Sequence, residues 1–307
     1  MSAGWAAGCV RARAIARRCV GAENARRIAA SDSLSVALRL LAGGPSDRGA
    51  RPGQTLALAQ HVVTGAVLWD LRVLAGWLPP GGGQLMRPLA AWFEIANIEE
   101  LLQRLAGRPA GDYFRLGALA TAWPRLREAG SAAGLRAALA GSAWQDPGGS
   151  SERALRIGVR ARWAERVAAL GEPARGWAAG AVALLLANER FGEGRVPEPA
   201  LRNAAASLLG ERCANAASLE ELRGNLPRRL AWVLAGVASP AGLWQAETAW
   251  WKRLERDGIA LVRGSAFDFK PVLGAAAVLA ADARRVCAAL ELAARGGGPL
   301  EAYDAVA

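Results

Sequence analysis

The sequence contains very little histidine and lysine. His61 is the only histidine, and Lys252 and Lys270 are the only lysines among 307 residues. A single histidine excludes histidine-based metal sites and most Ser-His or Cys-His nucleophile systems. The chain also lacks GxxxxGK[ST], GxSxG and GxGxxG motifs, the signatures of nucleotide hydrolysis, acyl transfer and dinucleotide binding. Nothing places two acids together for glycoside chemistry. We therefore expect no catalytic, cofactor-binding or metal-binding residues.

Strand patterns are missing as well. Hydrophobic residues make up 52% of the chain, much of that fraction is alanine, and runs of β-branched or aromatic residues are nearly absent. Alanine, leucine and arginine favour helix over strand. Breaker-rich segments such as PPGGG (79–83) and QDPGGSS (145–151) separate the helical stretches. The predicted fold class is all-α.

Long apolar runs are absent too. The most hydrophobic stretch, GWAAGAVALLLAN (176–188), has 13 residues, fewer than the ~18–20 that span a bilayer. The first residues, MSAGWAAGCVRARAIARR, place arginines after the apolar stretch, unlike a signal peptide. The chain has four cysteines, Cys9, Cys19, Cys213 and Cys287, and no CxxC spacing. This pattern fits reduced thiols in a cytoplasmic core. We expect a soluble, cytoplasmic protein.

The chain is basic. Lysine and arginine number 38 against 27 acidic residues, for a net charge of +11. Such a charge invites nucleic acid, anionic lipid or an acidic protein surface as a partner. Arginine and alanine abundance together are also typical of a GC-rich genome. The basic residues are spread along helices among acids, as on solvated faces, and form no dedicated tail.

Tryptophan is abundant, with twelve residues in the chain. They could form an aromatic recognition surface, but large core and inter-helix fillers are the more common use of tryptophan. Trp5 and Trp77 lie at the chain start and beside a loop, so of the twelve we expect these two to be exposed.

Glu94 occupies an unusual place in WFEIANIEELLQRLAG (92–107). At 100° per residue it lies within the apolar arc of this predicted helix, between Leu101 and Leu105. Either the helix begins here and Glu94 is an ordinary first-turn acid, or the carboxylate is buried and needs a partner. An unpartnered buried charge costs roughly 3–5 kcal/mol.

Two further acids occupy the same kind of position. Glu189 lies within the apolar arc of GWAAGAVALLLANERF, and Asp282 at the centre of the arc of KPVLGAAAVLAADARRVCAALELAAR. The three acids are 95 and then 93 residues apart. An even period suggests an internal repeat, and we predict Glu94, Glu189 and Asp282 as structural buried acids.

A serine precedes each acid. SLSVALRLLAG, SAAGLRAALAG and SLEELRGNLPR begin at Ser33, Ser131 and Ser218, and each is predicted to cap a short helix. A leucine follows each serine by eight residues, at Leu41, Leu139 and Leu226. The pattern predicts three helical units, residues 1–107, 108–205 and 206–307. Chance alignment in a chain rich in alanine and leucine is the alternative.

Three segments together resemble one known family. These are the opening GWAAGCVRARAIARR, the central WFEIANIEELLQRLAG with YFRLGALATAW, and the closing FDFKPVLGAAAVLAADARRVCAALELA. They are similar to the C/AC39 family, the central-axis subunit of V-type and A-type rotary ATPases, called C in prokaryotes and d in eukaryotes. The resemblance covers nearly the whole chain. It implies three similar helical domains in a pseudo-threefold, funnel-shaped arrangement.

The family's central motif is an aromatic residue, an acid and an asparagine, matched here by Phe93, Glu94 and Asn97. Arginines on its first helix are matched by Arg11 and Arg13, but the tyrosine and asparagine that usually precede them are missing. Near the carboxy terminus, where the family has glutamate, arginine and asparagine, this chain has Asp282, Arg284 and Arg285. The resemblance makes Arg11, Arg13 and Asn97 candidates to face a partner.

The buried acids require partners of their own. Arginines paired with them would fix helix register in each unit. Arg13, Arg104 and Arg285 are the candidates by residue type and repeat position. The alternative is an N-terminal or snorkelling carboxylate with no specific partner.

The function implied by the resemblance is a non-catalytic rotor subunit. It would be peripheral on the cytoplasmic face of the membrane and couple the proteolipid ring to central-stalk subunits of the D and F types during ion or proton transport. It would need no cofactor, small-molecule substrate or nucleic acid. The alternatives are an arginine-rich helical nucleic-acid-binding protein, whose binding should weaken steeply with salt, and a helical scaffold with another partner.

Overall fold

The computed structural model describes residues 3–42 and 49–306 of the chain. The structure is 72% helical and its described residues contain no strand, which confirms the all-α prediction. Within the same ranges, no helix combines the length and the apolar character required to cross a membrane.

The described residues contain fifteen α-helices, with 3-10 turns at Gly117–Leu119, Arg228–Leu234 and Pro240–Gly242 and a π turn at Asn188–Gly192. The helices are α1 (Ala3–Ala16), α2 (Gly21–Ala29), α3 (Leu34–Ala42), α4 (Leu56–Trp77), α5 (Gly82–Leu105), α6 (Trp123–Leu126), α7 (Ala132–Ala140), α8 (Glu152–Ala168), α9 (Ala174–Ala187), α10 (Pro199–Leu209), α11 (Glu211–Ala214), α12 (Leu219–Asn225), α13 (Leu243–Arg263), α14 (Phe269–Ala294) and α15 (Leu300–Val306).

These helices form two compact units. The terminal unit consists of the described residues of 1–83 and 251–307, and the central unit of residues 84–250. The chain passes from one unit to the other near the start of α5 and returns within α13. The predicted division into three units, with boundaries after residues 107 and 205, uses other boundaries and stays a prediction.

The terminal unit is built around α14, which packs against α1, α2, α3 and α4. Part of its core joins Ile28 of α2 and Leu38 of α3 to Leu290 of α14. Two glycines let α13 and α14 approach closely, because a Cβ placed on Gly274 would lie only 2.6 Å from the carbonyl oxygen of Gly258. Small residues at this crossing therefore set the spacing of α13 and α14.

The central unit is organised around α8, α9 and α10, each of which packs against the other two. Close packing again depends on small residues, since a Cβ on Gly158 would lie 2.4 Å from the Cβ of Pro147. The indole Nε1 of Trp250 donates to the carbonyl of Trp177 at 2.9 Å. Buried tryptophans in this unit thus fill space and bond through their single polar atom.

The three predicted serine caps are confirmed. Each serine Oγ accepts a hydrogen bond from the backbone N–H three residues later, from Val36 to Ser33 at 3.4 Å, from Gly134 to Ser131 at 3.1 Å and from Glu221 to Ser218 at 3.1 Å. The leucine eight residues after each serine is buried, at Leu41, Leu139 and Leu226. The same short motif thus forms the same local structure three times.

The tryptophans divide between core and surface. Four are buried, at Trp123, Trp144, Trp177 and Trp250, and four are exposed, at Trp69, Trp77, Trp92 and Trp244. Trp77 is therefore exposed, as predicted. The prediction that Trp5 is exposed is wrong, because its ring packs against Phe269 with the ring centroids 6.3 Å apart and the residue is half-buried.

Candidate functional site

The candidate site consists of the three buried acids and the groups that hold them. Glu94 lies in the middle of α5, which begins at Gly82 and not near residue 92. It is therefore no first-turn acid, and its side chain is fully buried. The carboxylate accepts hydrogen bonds from the backbone N–H of Thr121 at 2.5 Å and of Ala122 at 2.8 Å. These N–H groups stand at the start of α6, so Glu94 caps a helix distant from it in sequence.

A tryptophan completes the environment of Glu94. The indole Nε1 of Trp144 donates to Glu94 Oε1 at 2.8 Å. The Arg166 guanidinium lies 4.9 Å from the Trp144 ring centroid and donates to the Thr121 hydroxyl at 3.0 Å. Burial lowers the pKa of Arg166, and the negative charge of Glu94 opposes that shift. The charges of Arg166 and Glu94 thus interact. Both side chains also contact Trp144 and Thr121.

Arg104, one of the three arginines considered as partners for the buried acids, makes other contacts. Its guanidinium donates to the carbonyl of Gly111 at 2.5 Å and lies 4.7 Å from the Tyr113 ring centroid. Sequence reasoning missed the actual donors because two are backbone groups and the third is an indole, and no charge pattern marks either type. The donors to Glu94 are therefore Thr121, Ala122 and Trp144, and not the candidate Arg104.

Asn97 lies one turn after Glu94 and holds the same segment. Its Nδ2 donates to the carbonyl of Phe114 at 2.9 Å, and its Oδ1 accepts from the N–H of Phe114 at 2.7 Å. Asn97 is fully buried. This position differs from the prediction of a partner-facing Asn97, because a buried amide with both ends bonded presents no surface to a partner. Together with Glu94, it fixes the segment after α5 at two points.

Asp282 holds a helix start in the terminal unit. It lies in α14, is buried, and accepts from the N–H of Val20 and of Gly21, each at 2.8 Å. These groups stand at the start of α2. Burial raises the pKa of Asp282 above its ordinary value of 3.8, although the two N–H groups and the charge of Arg285 act in the opposite direction.

Arg285, another of the three candidate arginines, lies one turn after Asp282. Its Nη1 is 3.5 Å from Asp282 Oδ1, and its Nη2 forms a close ion pair with Glu255 of α13. Arg285 is itself buried. Two acids therefore share one buried guanidinium, and the backbone donors of Asp282 are closer to it than the arginine is.

Glu94 and Asp282 share one arrangement. Each acid lies on a long helix and accepts two consecutive N–H groups at the start of a shorter helix, which is followed by a helix with a serine cap at Ser131 or Ser33. For Asp282 the bonded groups are 261 and 262 residues away in sequence. The last long helix is thus tied to the first part of the chain.

Glu189 departs from this arrangement. It lies in the π turn after α9, is buried, and forms an ion pair with Arg153 of α8, whose Nε is 2.9 Å from Glu189 Oε2. Arg153 also binds Glu198, at 2.5 Å. Sequence reasoning did not select Arg153, which lies 36 residues before Glu189. Its position at the start of an arginine-rich helix gave no signal that separated it from its neighbours.

The two arginines predicted to face a partner lie on α1. Arg13 donates to the carbonyls of Val262, Gly264 and Ala266 at 3.0, 2.7 and 2.9 Å. Its donors are thus used within the terminal unit, where they satisfy carbonyls at the end of α13. Arg11 is half-buried and lies over the Trp77 ring, 6.0 Å from its centroid.

A small cavity of about 50 Å³ lies beside Asp282 in the terminal unit. Its polar lining includes Arg18, Cys19 and Asp70. Burial raises the pKa of the Cys19 thiol to about 12. A cavity of this size has room for a few water molecules. In the described ranges, no three His, Cys, Asp or Glu side chains group in a way that could hold a metal ion.

Comparison with known proteins returns no family model that matches the chain and no curated protein that is similar to it. The chemistry of the site is therefore argued from its geometry. Buried carboxylates bonded to N–H groups and guanidinium groups fix helices in position, and the arrangement is suited to mechanical stiffness.

Proposed function

We propose that the chain is a non-catalytic, central-axis subunit of a V-type or A-type rotary ATPase. In this proposal three similar helical domains form a pseudo-threefold funnel on the cytoplasmic face of the proteolipid ring. The funnel receives the foot of the central stalk and transmits rotation between the stalk and the ring. The similarity of three segments to the C/AC39 family is the reason for choosing this function among those open to a helical scaffold.

One observation carries the proposal beyond that similarity. Glu94 and Asp282 each accept two consecutive backbone N–H groups at the start of a helix. In both cases the next helix along the chain has a serine cap. In a closed ring of repeats, the last repeat must contact the first. The bonds from Val20 and Gly21 near the chain start to Asp282 near its end are of the kind that such closure requires.

Stiffness is the physical property that the function demands. A subunit that transmits torque must not deform under load, and close-packed interiors resist deformation. A buried carboxylate bonded to two backbone N–H groups fixes the rotation and the register of two helices relative to each other. The glycine contact between α13 and α14 adds a second fixed crossing in the terminal unit. These features support a coupling role.

The test is co-purification. Tagged protein is recovered from gently solubilised membranes of its source, and the accompanying proteins are identified by mass spectrometry, with an untagged strain as control. We expect proteolipid and central-stalk subunits in the tagged sample only. Recovery of nucleic acid that washes off with salt, or of an unrelated complex without ATPase subunits, would overturn the proposal.

The same co-purification, carried out with charge variants, tests whether recovery of the complex depends on the buried acid Glu94. Glu94→Lys places a cation against the N–H donors of α6 and should abolish recovery of the complex together with folding. Glu128→Lys, an exposed acid in the same unit, makes the same charge change away from the buried acids and should leave recovery unchanged.

A further inference from the structure

We propose that one face of the terminal unit binds the headgroup region of an anionic phospholipid membrane. This surface, the α1–α4 face, consists of Val10, Trp69 and Trp77 together with Arg11, Arg17 and Arg72. The inference deepens the proposed function and rests on it for the setting, since a subunit on the proteolipid ring lies next to lipid headgroups. The binding itself is argued from the residues of this face.

The two helices of the face pack side by side in opposite directions. At one end, a Cβ on Gly4 would lie 3.1 Å from the Cβ of Pro79, just beyond α4. Towards the other end of α1, Arg18 lies 3.8 Å from Asp70. Arg11 of α1 lies over the ring of Trp77. The two helices therefore lie side by side, and Arg11 and Trp77 link their exposed residues.

Three large apolar side chains of this face are exposed. Val10 is 60% exposed, Trp69 57% and Trp77 50%. Exposed apolar side chains that cluster, as opposed to being scattered singly, mark an interaction site. Two of the three are tryptophans, whose apolar ring and single N–H suit the boundary between headgroups and acyl chains.

The charge of the face selects an anionic partner. The Arg72 guanidinium lies 5.7 Å from the Trp69 ring centroid, next to an exposed ring. Arg17 and Arg72 are exposed. Asp70 is the only acidic residue in α1 and α4, and it is buried. The face thus presents cations and apolar rings without exposed carboxylates from either helix.

A membrane surface fits this combination better than an acidic protein helix does. The guanidinium groups of Arg11 and Arg72 lie within 6.0 Å of exposed indole rings, so cations and apolar surface are adjacent. A bilayer offers anionic groups and an apolar layer directly below them across its whole surface, so no matched positions are needed. Each arginine near such a surface strengthens binding about fivefold, or roughly a hundredfold for three.

The experiment uses the purified full-length chain and protein-free vesicles. Co-sedimentation is measured with phosphatidylcholine vesicles and with vesicles that also contain phosphatidylserine at about 30%, at low and high salt. We expect binding to the anionic vesicles only, with a decrease as salt rises. Arg72→Glu and Trp69→Ser should each weaken this binding about tenfold or more.

Matched controls lie in the central unit. Trp244 is 48% exposed, so Trp244→Ser removes a tryptophan of similar exposure. Arg229 is exposed as well, and Arg229→Glu changes the net charge as much as Arg72→Glu does. Both control variants should bind within about twofold of the unchanged chain. Equal losses in test and control variants would mean that this face has no specific part in binding and would overturn the proposal.

Other outcomes separate this inference from the proposed function. No preference for anionic vesicles, or a face that instead mediates self-association abolished by Trp69→Ser, would overturn the lipid assignment. Capture by membranes that contain protein, without binding to protein-free vesicles, would assign the face to a protein partner. Vesicle binding without co-purified ATPase subunits would overturn the rotor function and leave the lipid face standing.

Discussion

The indole N–H of Trp144 donates a 2.8 Å hydrogen bond to the carboxylate of Glu94, and both side chains are buried. With the two backbone donors at the start of α6, this bond gives the carboxylate three neutral N–H partners. The directions of these hydrogen bonds, as well as the negative charge, fix the position of the carboxylate. Moving α5 relative to the start of α6 would break both backbone bonds at once.

Trp144→Phe tests how much the hydrogen bond from Trp144 to Glu94 contributes to the free energy of unfolding. Removing the indole N–H leaves a charged buried acceptor with one partner fewer, and we expect the free energy of unfolding to fall by about 1.5–3 kcal/mol. Urea denaturation followed by circular dichroism measures the change. Trp244→Phe, at an exposed position, should change stability by less than about 0.5 kcal/mol. Equal effects of the two substitutions would show that the bond to Glu94 contributes nothing.

A double-mutant cycle separates the donors of Asp282. Asp282→Ala removes the acceptor of two backbone N–H groups and one partner of a buried guanidinium, so we expect a loss of about 3–5 kcal/mol. The coupling energy between Asp282→Ala and Arg285→Met should be smaller, about 1 kcal/mol, because Arg285 keeps Glu255 as its closer partner. A coupling energy as large as the whole loss would make the arginine, and not the backbone, the main partner.

The glycine contact between α13 and α14 predicts opposite signs for two similar substitutions. Gly274→Ala places a Cβ 2.6 Å from a backbone oxygen and should cost about 1–3 kcal/mol of unfolding free energy. Gly76→Ala in α4 meets nothing within 4 Å and should stabilise by about 0.4–1 kcal/mol. Thermal melts distinguish the two cases. A neutral Gly274→Ala would mean that the helices separate easily at this point.

Alkaline pH should weaken the fold. Burial raises the pKa of the Cys19 thiol from 9.0 to about 12 and that of Cys287 from 9.0 to about 11. Between pH 9 and these raised pKa values, the folded chain keeps thiol protons that the unfolded chain releases. The free energy of unfolding therefore falls as pH rises above about 9. We expect each thiol to contribute a loss of about 1–3 kcal/mol by pH 11.

Denaturation measured from pH 8 to pH 11 checks this dependence. The variant Cys19→Ala should lose stability less steeply with pH than the unchanged chain. The same two thiols should react slowly with a thiol reagent at pH 8 in the folded state and rapidly in denaturant, since the thiolate is the reactive form. Rapid labelling of the folded chain would contradict the raised pKa values.

Short-range features were predictable from the sequence alone. Composition and the absence of alternating patterns indicated an all-α fold, because helix propensity and periodicity are properties of neighbouring residues. The caps at Ser33, Ser131 and Ser218 involve a bond to a group three residues away, so a short motif determines them. The position of Arg285 one turn after Asp282 follows from helical geometry in the same way.

The tertiary structure decided which groups hold the acids. Glu94 is bonded to groups 27, 28 and 50 residues away, and Asp282 to groups 261 and 262 residues away. Most of these donors are backbone N–H groups, which every residue except proline carries, so residue identity contains no signal for them. Helical periodicity determined that Glu94 and Asp282 lie on buried faces, whereas the packing of distant helices determined which donors meet them.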